Sequence, residues 1–369
     1  MRRPVPVYIG SLLVIGLTMT VIGPALSELR ERTGAGIGAI GSLFIAASIG
    51  FMSGSLLGGR LYDRLDGHRV LALSVATLGS LMLLVPHAGS LAVLFVIFVA
   101  VGVAGAVVEV GANTLVMWHL GAEVGRAMNL LHLAFGVGAL TTPTLTRVGL
   151  GVVTAVGATV AWVVAASALA VPSPKAPGAQ RAEQTGSTRR LLVICSSFFF
   201  LYVGLEIGFA GWILTYVEEL DFSAATATAI TTVFWVAFTA GRLISAVVVN
   251  TVRPKMVMIA AGALTLLASL VLVAGAGRLG AVAVGAGLMG LATAPQFPVM
   301  LAYIERRMRL SGSDNAWFVG SAGLGGLVFP FVTGQIFDGL GTSAFPWTIL
   351  VAAMLTVGAF AFVNRTFGG

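Results

Sequence analysis

The stretch "VPSPKAPGAQRAEQTGSTRR", residues 171–190, is the one long polar connection in this chain of 369 residues. Proline, glycine, serine and charged residues dominate it, and this composition is typical of a linker. A helix needs about 20 apolar residues to cross the hydrocarbon core of a bilayer. Six runs of that kind precede the stretch and six follow it. The sequence therefore predicts two half-domains, residues 1–171 and 191–369, joined by a linker at residues 172–190.

The twelve runs predict an all-α integral membrane protein with short turns between its helices. Several turns are marked by proline or glycine, as in "VPHAGS" and "GAGRLG". The predicted spans lie near residues 5–27, 37–59, 69–87, 91–118, 126–146, 149–171, 191–217, 223–249, 255–275, 279–301, 314–337 and 343–364.

The composition excludes an ordinary soluble domain. Hydrophobic residues make up 57% of the chain and charged residues only 9%, whereas about a quarter of a soluble domain is charged. The 48 glycines fit close packing of membrane helices. A single cysteine, Cys195, excludes an intramolecular disulfide and a metal site made of several cysteines, and we expect a packed, inert thiol.

The net charge of +7 is explained by membrane orientation rather than by nucleic-acid binding. With a cytoplasmic N-terminus, 17 of the 21 Lys and Arg residues, Arg242 among them, fall in inner segments. Only Arg30, Arg32, Arg147 and Arg278 fall in outer ones. Basic residues gather on the cytoplasmic side of membrane proteins. We therefore expect both termini and the linker in the cytoplasm, and no nucleic-acid partner.

Polar residues interrupt the fourth and fifth spans in "VVEVGANTLVMWHLGAEVGRAMNLLHLAFGVGAL", residues 107–140. Glu109 and Asn113 share one helix face at i, i+4, and Asn129 and His132 share one at i, i+3. Glu109 and His132 fall at comparable depth, so the four side chains are predicted to converge as an ion-coupling site. Carboxylate and amide oxygens suit Na⁺ at Glu109 and Asn113. Alternatively, Glu109 carries a proton with His132 as its relay, binds solute directly, or belongs to a structural hydrogen-bond network between the two helices.

A second polar group predicts a solute site in the later spans. Glu206 is a carboxylate at membrane depth, where charge is costly, and Tyr202 lies on the same face. Aromatic rings beside a carboxylate suit a sugar, which offers both hydroxyls and an apolar face. Pro295 and Pro298 predict a break in the tenth span next to an amide. The candidate solute residues are Glu206, Trp212, Tyr216, Trp235 and Gln296. For Tyr216 an interfacial aromatic belt is an equal alternative, and for the prolines a simple kink is one.

Enzyme signatures are absent from the sequence. The chain contains no Walker A loop for ATP and no H-E-x-x-H zinc motif. We therefore expect neither an enzyme nor an organic cofactor or resident metal.

The loop "GGRLYDRLDGHRV", residues 58–70, resembles the signature of the major facilitator superfamily. The resemblance implies a fold of twelve helices in two pseudo-symmetric six-helix bundles, with substrate held near the midplane, and a monomer. It also implies that the loop controls a cytoplasmic gate, here through Gly59, Asp63, Arg64 and Arg69. Asn315 and Trp317, at the start of the eleventh span, are further gate candidates.

"GPALSEL", "EVGANTLVMWH", "MNLLHLAFGVGAL" and "LYVGLEIGFAGWILTY" resemble the sodium-dependent glucose transporter-like branch, which is related to the fucose–proton symporters. In those symporters a fourth-span glutamate takes up the coupling proton, and Glu109 stands at the matching position. The first span carries no acidic residue, and Phe135 stands where the symporters have an asparagine.

These observations predict a secondary transporter of a bacterial-type inner membrane that works by alternating access. It would import a small hydrophilic solute, with a monosaccharide as the expected one, by Na⁺ or H⁺ symport. A proton-coupled exporter of drug-like compounds or metabolites on the same fold is the first alternative. A membrane sensor that binds without transporting is the second.

Overall fold

The computed structural model describes residues 3–35, 37–40, 42–175, 186–249 and 251–367. Residues 176–185 of the predicted linker, and Arg2 among the predicted inner charges, lie outside this range. The described chain is helical and contains no β-strand. Its helices are α1 Val5–Met19, α2 Ile22–Thr33, α3 Ile37–Ile40, α4 Ser42–Arg64, α5 Gly67–Leu84, α6 Leu91–Leu120, α7 Gly125–Val148, α8 Leu150–Leu169, α9 Gly186–Glu218, α10 Ala224–Val248, α11 Pro254–Ala274, α12 Leu279–Thr293, α13 Gln296–Glu305, α14 Gly312–Leu340 and α15 Ala344–Phe367.

The all-α membrane fold with twelve crossing helices is confirmed. Within the described ranges, 11 helical segments are long and apolar enough to cross a membrane. The twelfth is α7, which has 24 residues but carries two arginines together with Asn129 and His132. It differs from the other 11 segments in its polarity rather than its length. It packs against α1 and α8.

Two spans are interrupted. The single helix predicted over residues 5–27 is two helices, because α1 ends at Met19 and α2 continues from Ile22 to Thr33. Pro24 explains the interruption, since it has no N–H to pair with the carbonyl of Thr20. The break predicted in the tenth span is confirmed: α12 ends at Thr293 and α13 begins at Gln296, directly after Pro295.

The chain forms two compact units. Unit 1 contains the chain up to Arg181 together with Arg309–Gly320, so the first turns of α14 pack with the N-terminal helices. Unit 2 contains Ala182–Met308 and Ser321–Gly369. The half-domain boundaries at residues 171 and 191 stay a prediction.

A row of glycines sets the packing of unit 1. Gly50, Gly54 and Gly58 recur every fourth residue along α4, and all three face α6. A Cβ atom on Gly50 would lie 2.0 Å from the carbonyl oxygen of Val99, and one on Gly54 would lie 2.4 Å from that of Val103. Small residues at this spacing allow two membrane helices to approach until their backbones touch. This contact fixes α6, the helix that carries Glu109 and Asn113.

Aromatic side chains fill the core of unit 2. Phe209 on α9 lies 5.2 Å from Phe234 on α10 and 6.0 Å from Phe345 on α15, measured between ring centroids. The three side chains are fully or almost fully buried. Rings at such separations stabilise each other beyond the apolar area that they bury, so this cluster ties α9, α10 and α15 together.

His68, at the start of α5, joins three segments of unit 1. Its Nδ1 lies 2.9 Å from the carbonyl oxygen of Val171, and its Nε2 lies 2.8 Å from the hydroxyl of Tyr8. A carbonyl oxygen can only accept, so Nδ1 carries a hydrogen and donates it to Val171. The histidine thereby connects α1 and α5 to the chain beyond α8.

Candidate coupling, solute and gate sites

The predicted coupling pair on α6 lies in unit 1, and its two members differ in burial. Glu109 is half-buried, and Asn113 is fully buried. Neither Oδ1 nor Nδ2 of Asn113 has a hydrogen-bond partner among the described residues. A buried amide without partners costs roughly 1–3 kcal/mol in proteins, and polar groups in a membrane interior are otherwise satisfied internally. Asn113 is therefore available to a ligand beside the Glu109 carboxyl group.

The predicted pair on α7 is buried as well. Asn129 is inaccessible to solvent, and His132 is 7% exposed. The Asn129 Nδ2 group donates to the carbonyl oxygen of Gly125 at 2.9 Å, while its Oδ1 has no partner among the described residues. The backbone of α7 packs chiefly against α1 and makes little direct contact with α6. The convergence of the α6 and α7 pairs on one site therefore stays a prediction.

Asp63, at the end of α4, holds the first turn of α14 within unit 1. Its Oδ1 accepts the backbone N–H of Gly312 at 2.7 Å. Its Oδ2 accepts the backbone N–H of Ser313 at 3.0 Å and the Ser313 hydroxyl at 2.5 Å. The first N–H groups of a helix have no partner inside the helix and carry a partial positive charge, so a carboxylate there is favourable. Gly59 permits the approach, because a Cβ atom on it would lie 2.6 Å from the Cβ of Ala316.

The other predicted gate residues lie differently. Arg64 and Arg69 are exposed, and neither forms an ion pair with another described residue. Asn315 is buried, and its Nδ2 donates to the carbonyl oxygen of Val110 at 3.1 Å. The fixed contact at this end of unit 1 therefore runs through Asp63 and Asn315. The role of all these residues as a gate stays a prediction.

We expect Asp63→Asn to loosen the start of α14 while the rest of unit 1 stays folded. The amide keeps one acceptor oxygen and loses the charge, and hydrogen bonds to a charged group contribute roughly 1.5–3 kcal/mol each. Losing one of them corresponds to about a 10- to 150-fold faster amide exchange by local opening. Hydrogen-exchange mass spectrometry of the peptide around residues 309–320 measures this. Asp66→Asn is the matched control, since Asp66 caps the start of α5 through the N–H of Arg69. Equal exchange in both variants would contradict the assignment.

The acid of unit 2 is bonded to a tyrosine one turn earlier. The hydroxyl of Tyr202 is hydrogen-bonded to Oε2 of Glu206, and it lies 3.0 Å from the carbonyl oxygen of Thr293 on α12. Tyr202 is buried and Glu206 is half-buried. The predicted shared face of these two residues is thus real, and it points at the last residue of α12, next to the helix break.

The position of Arg242 differs from the one predicted from the sequence. The sequence places it with the inner loop charges, yet it lies inside α10, within the candidate span Ala225–Val248, and is only 5% exposed. Its Nε and Nη1 have no partner among the described residues, and the guanidinium carbon lies 4.8 Å from the centre of the Phe238 ring. The charge acts on Glu206 electrostatically. The assignment to an inner segment rests on position along the chain, which cannot show that a residue is covered by other helices.

The predicted aromatic solute residues all pack within unit 2. Trp212 donates its Nε1–H to the carbonyl oxygen of Pro330 at 2.8 Å and stacks on Phe337. Tyr216 is 1% exposed, with its ring 4.8 Å from that of Phe345, and belongs to the aromatic core. Trp235 is half-buried. Trp212 and Trp235 retain partly exposed surface that a solute could contact, whereas Tyr216 has almost none in this structure.

Gln296 lies at the break between α12 and α13 and is 2% exposed. Its Nε2 donates to the hydroxyl oxygen of Thr265 on α11 at 3.0 Å and to the carbonyl oxygen of Ala292 at 3.1 Å. Both amide hydrogens therefore stabilise the interrupted helix, and only the amide oxygen remains for a solute.

The prediction from the sequence missed two functional candidates, Arg242 and the carbonyl of Thr293. The signal for Arg242 was its place inside the eighth predicted span, residues 223–249. The carbonyl of Thr293 gave no signal in the side-chain pattern. Across the described residues, no group of three or more His, Cys, Asp or Glu side chains could hold a metal ion.

Comparison with known proteins places this geometry in a family. The model of the Major Facilitator Superfamily matches residues 8–217. The mouse protein Sodium-dependent glucose transporter 1A is 23% identical over 369 residues, which cover 87% of this chain and 86% of the mouse protein. The crystal structure of the E. coli Fucose:proton symporter FucP aligns with a TM-score of 0.79 at 16% identity over 98% of both chains. The human organic anion transporter MFSD10 aligns with a TM-score of 0.77 at 17% identity, over 98% of this chain and 99% of its own.

These structural likenesses show the fold, and the family model extends over more than half of the chain. The chain therefore belongs to the major facilitator superfamily of multi-pass membrane transporters, and it is not an enzyme.

Proposed function

We propose that this transporter moves a small hydrophilic solute, with a monosaccharide as the expected one, by symport with Na⁺ or H⁺. The observation that carries the proposal is Asn113, a fully buried amide without partners among the described residues, one helical turn from Glu109. A pure lipid-facing or structural position would not retain such a group, because its burial is costly. Relatives named as a sodium-dependent glucose transporter and a fucose–proton symporter support the same reading.

The coupling site is proposed at Glu109 and Asn113 on α6, with Asn129 and His132 on α7. Two buried amide oxygens, those of Asn113 and Asn129, have no donor among the described residues. An oxygen that accepts from nothing is suited to a hard cation, which favours Na⁺ over H⁺ at this site. The ion itself remains part of the proposal.

The solute contacts are proposed in unit 2, at Glu206, Trp212, Trp235, Tyr216 and Gln296. The partly exposed indole rings of Trp212 and Trp235 support stacking on a sugar. Glu206 and the free amide oxygen of Gln296 supply hydrogen-bonding groups. Tyr216 would not contact the solute directly but would hold α9 in position through the aromatic core.

The gate is proposed at Gly59, Asp63, Arg64 and Arg69. The protein is proposed to lie in a bacterial-type inner membrane with both termini on the cytoplasmic side. Asp63 carries this part of the proposal, because its bonds to the start of α14 can form and break as a unit. Alternating access would then require those bonds to open once in each cycle, and a monomer suffices for it.

The test is solute-evoked charge movement and uptake in proteoliposomes that contain the purified chain. Glucose and fucose are added at fixed pH, with Na⁺ present or replaced by choline. Uptake that needs Na⁺ supports Na⁺ symport, and uptake that follows a pH gradient alone moves the coupling to H⁺. Uptake driven by neither gradient would overturn the symport proposal.

We expect Asn113→Leu to separate ion binding from folding. Removing a buried amide without partners relieves roughly 1–3 kcal/mol, which raises Tm by about 2–12 °C in Na⁺-free buffer. In the wild type, Na⁺ at 100 times its Kd adds about 2.7 kcal/mol of stability, and the variant should lose that response. Thermal unfolding in Na⁺ against choline measures both effects. Asn364→Leu is the control, since Asn364 accepts the Tyr303 hydroxyl in unit 2 and should keep the Na⁺ response. A Na⁺ response that survives Asn113→Leu would remove Asn113 from the site.

A further inference from the structure

A half-buried carboxyl group, a buried tyrosine and a buried arginine lie on neighbouring helices of unit 2. Glu206 and Tyr202 lie on α9, Arg242 lies on α10, and the carbonyl of Thr293 ends α12. The hydrogen-bond geometry around the tyrosine and the burial of the arginine each restrict the protonation state of Glu206.

The hydroxyl of Tyr202 has one hydrogen and faces two oxygens that can accept it. One is Oε2 of Glu206 and the other is the carbonyl oxygen of Thr293, 3.0 Å away. A carbonyl oxygen can never donate, and an ionised carboxylate can only accept. Both contacts become full hydrogen bonds only when Glu206 is protonated and donates to Tyr202, while Tyr202 donates to Thr293. The backbone N–H of Phe297 also faces the tyrosine oxygen. Because this group donates, Tyr202 still has one hydrogen for two possible acceptors.

Arg242 restricts the same group independently. Its guanidinium is always charged, and a buried charge is costly unless it is paired. The described residues nevertheless leave Nε and Nη1 without a partner, and no ion pair within them includes Arg242. An ionised Glu206 within electrostatic range would be drawn to this cation. Its carboxyl group lies on Tyr202 instead, whose single hydrogen the carbonyl oxygen of Thr293 can also accept.

Among the described residues, Arg242 is the one charged group that acts on Glu206. The helices packed on α9 include α10, α12, α13 and α15. Arg242 from α10 acts on Glu206 electrostatically, and Tyr202 on α9 contacts it through a hydrogen bond. Glu305 is the last residue of α13, and Arg365 lies in the last turn of α15.

We propose that Glu206 is a proton-binding site, held protonated by Tyr202 and Thr293 in this structure, and that Arg242 receives its carboxylate when the proton leaves. In that step the carboxyl O–H bond breaks, the proton passes to water, and the carboxylate turns from Tyr202 to the guanidinium. Tyr202 keeps its own hydrogen and its bond to Thr293. The reverse step takes a proton from water and releases Arg242.

The proton is thereby linked to the broken helix. Thr293 is the last residue of α12, and Pro295 lies two residues further along the chain. The hydrogen bonds from Glu206 through Tyr202 to Thr293 therefore connect the proton-binding group to the break between α12 and α13, where the angle between the two helices would change. The inference goes beyond the proposed function, because it requires neither a sugar solute nor a Na⁺ site.

The test is infrared difference spectroscopy of the full chain in lipid nanodiscs between acidic and alkaline buffer, without solute or Na⁺. Protonated carboxyl groups have a C=O stretching band that ionised ones lack. We expect a wild-type carboxyl band at neutral pH that Glu206→Gln removes and Glu123→Gln, at an exposed position, retains. A neutral-pH spectrum that Glu206→Gln leaves unchanged would show an ionised Glu206 and overturn the proposal. Failure of sugar uptake has no bearing on this result.

Two further variants keep the test decisive if Glu206→Gln does not fold. Tyr202→Phe removes the acceptor of the carboxyl hydrogen, so the band should move to higher frequency. Arg242→Gln removes the partner of the carboxylate, so the band should persist in alkaline buffer that abolishes it in the wild type, and Arg242→Lys should restore the wild-type behaviour. A band that Tyr202→Phe does not move excludes the bond to tyrosine. Equal alkaline loss in Arg242→Gln and the wild type excludes the exchange with arginine.

Discussion

Glu109→Gln should abolish ion-driven accumulation of solute while the protein stays folded and still exchanges solute across the membrane. Glutamine has nearly the same shape, but it can neither take up a proton nor supply negative charge to a cation. At one ion per solute, a tenfold inward ion gradient supplies about 1.4 kcal/mol, which supports about tenfold accumulation. In the variant the ratio of inside to outside solute should fall to about one. Exchange should remain in part, because it moves solute in both directions without net ion flow.

Uptake by proteoliposomes under an imposed ion gradient measures accumulation, and efflux of labelled solute into unlabelled solute measures exchange. Glu123→Gln, just beyond α6 at an exposed position, is the matched control and should accumulate solute as the wild type does. Wild-type accumulation in Glu109→Gln would remove Glu109 from the coupling role. Loss of exchange and accumulation together, in a folded variant, would instead assign Glu109 to the solute.

The polar pattern within single helices was predictable from the sequence. Spacing of three or four residues placed Glu109 with Asn113, and Tyr202 with Glu206, on common faces, and the hydrogen bond between the latter two confirms their face. Pro295 and Pro298 predicted the break in the tenth span because the missing N–H is a local property. Local chemistry of this kind needs no knowledge of the neighbouring helices.

Contacts between distant segments were not predictable. Asp63 bonds to residues about 250 positions later in the chain, and no local pattern indicates which helix start a carboxylate caps. Arg242 was assigned to the inner charges from its position along the chain. Its burial depends instead on α9 and the helices around it, which no local pattern shows. The break near Pro24 was predictable in principle from the same missing N–H as in the tenth span, yet the apolar run through it favoured one continuous helix.

The largest effect on stability is expected from a single methyl group at Gly50. In Gly50→Ala the new Cβ would lie 2.0 Å from the carbonyl oxygen of Val99 and 2.9 Å from its carbonyl carbon. Both neighbours are backbone, which cannot rotate away as a side chain could, so α4 and α6 must separate along the whole glycine face. Overpacking of a close-packed interior costs roughly 1–3 kcal/mol, occasionally more. We expect at least the upper part of that range, and hence a Tm lower by about 6–12 °C.

Gly151→Ala is the matched control in the same unit. Gly151 lies on α8, and a Cβ atom there would meet nothing within 4 Å. Alanine is the better helix former by about 1 kcal/mol, so this variant should be neutral or slightly stabilised. Thermal unfolding of the two purified variants separates the steric cost at α4 from the general effect of replacing a helical glycine. Equal Tm values would mean that α4 and α6 do not depend on backbone contact at Gly50. A low Tm in Gly50→Ala alone, with Na⁺ stabilisation reduced as well, would show that the glycine face positions the Glu109 and Asn113 side chains for the ion, since neither residue is changed.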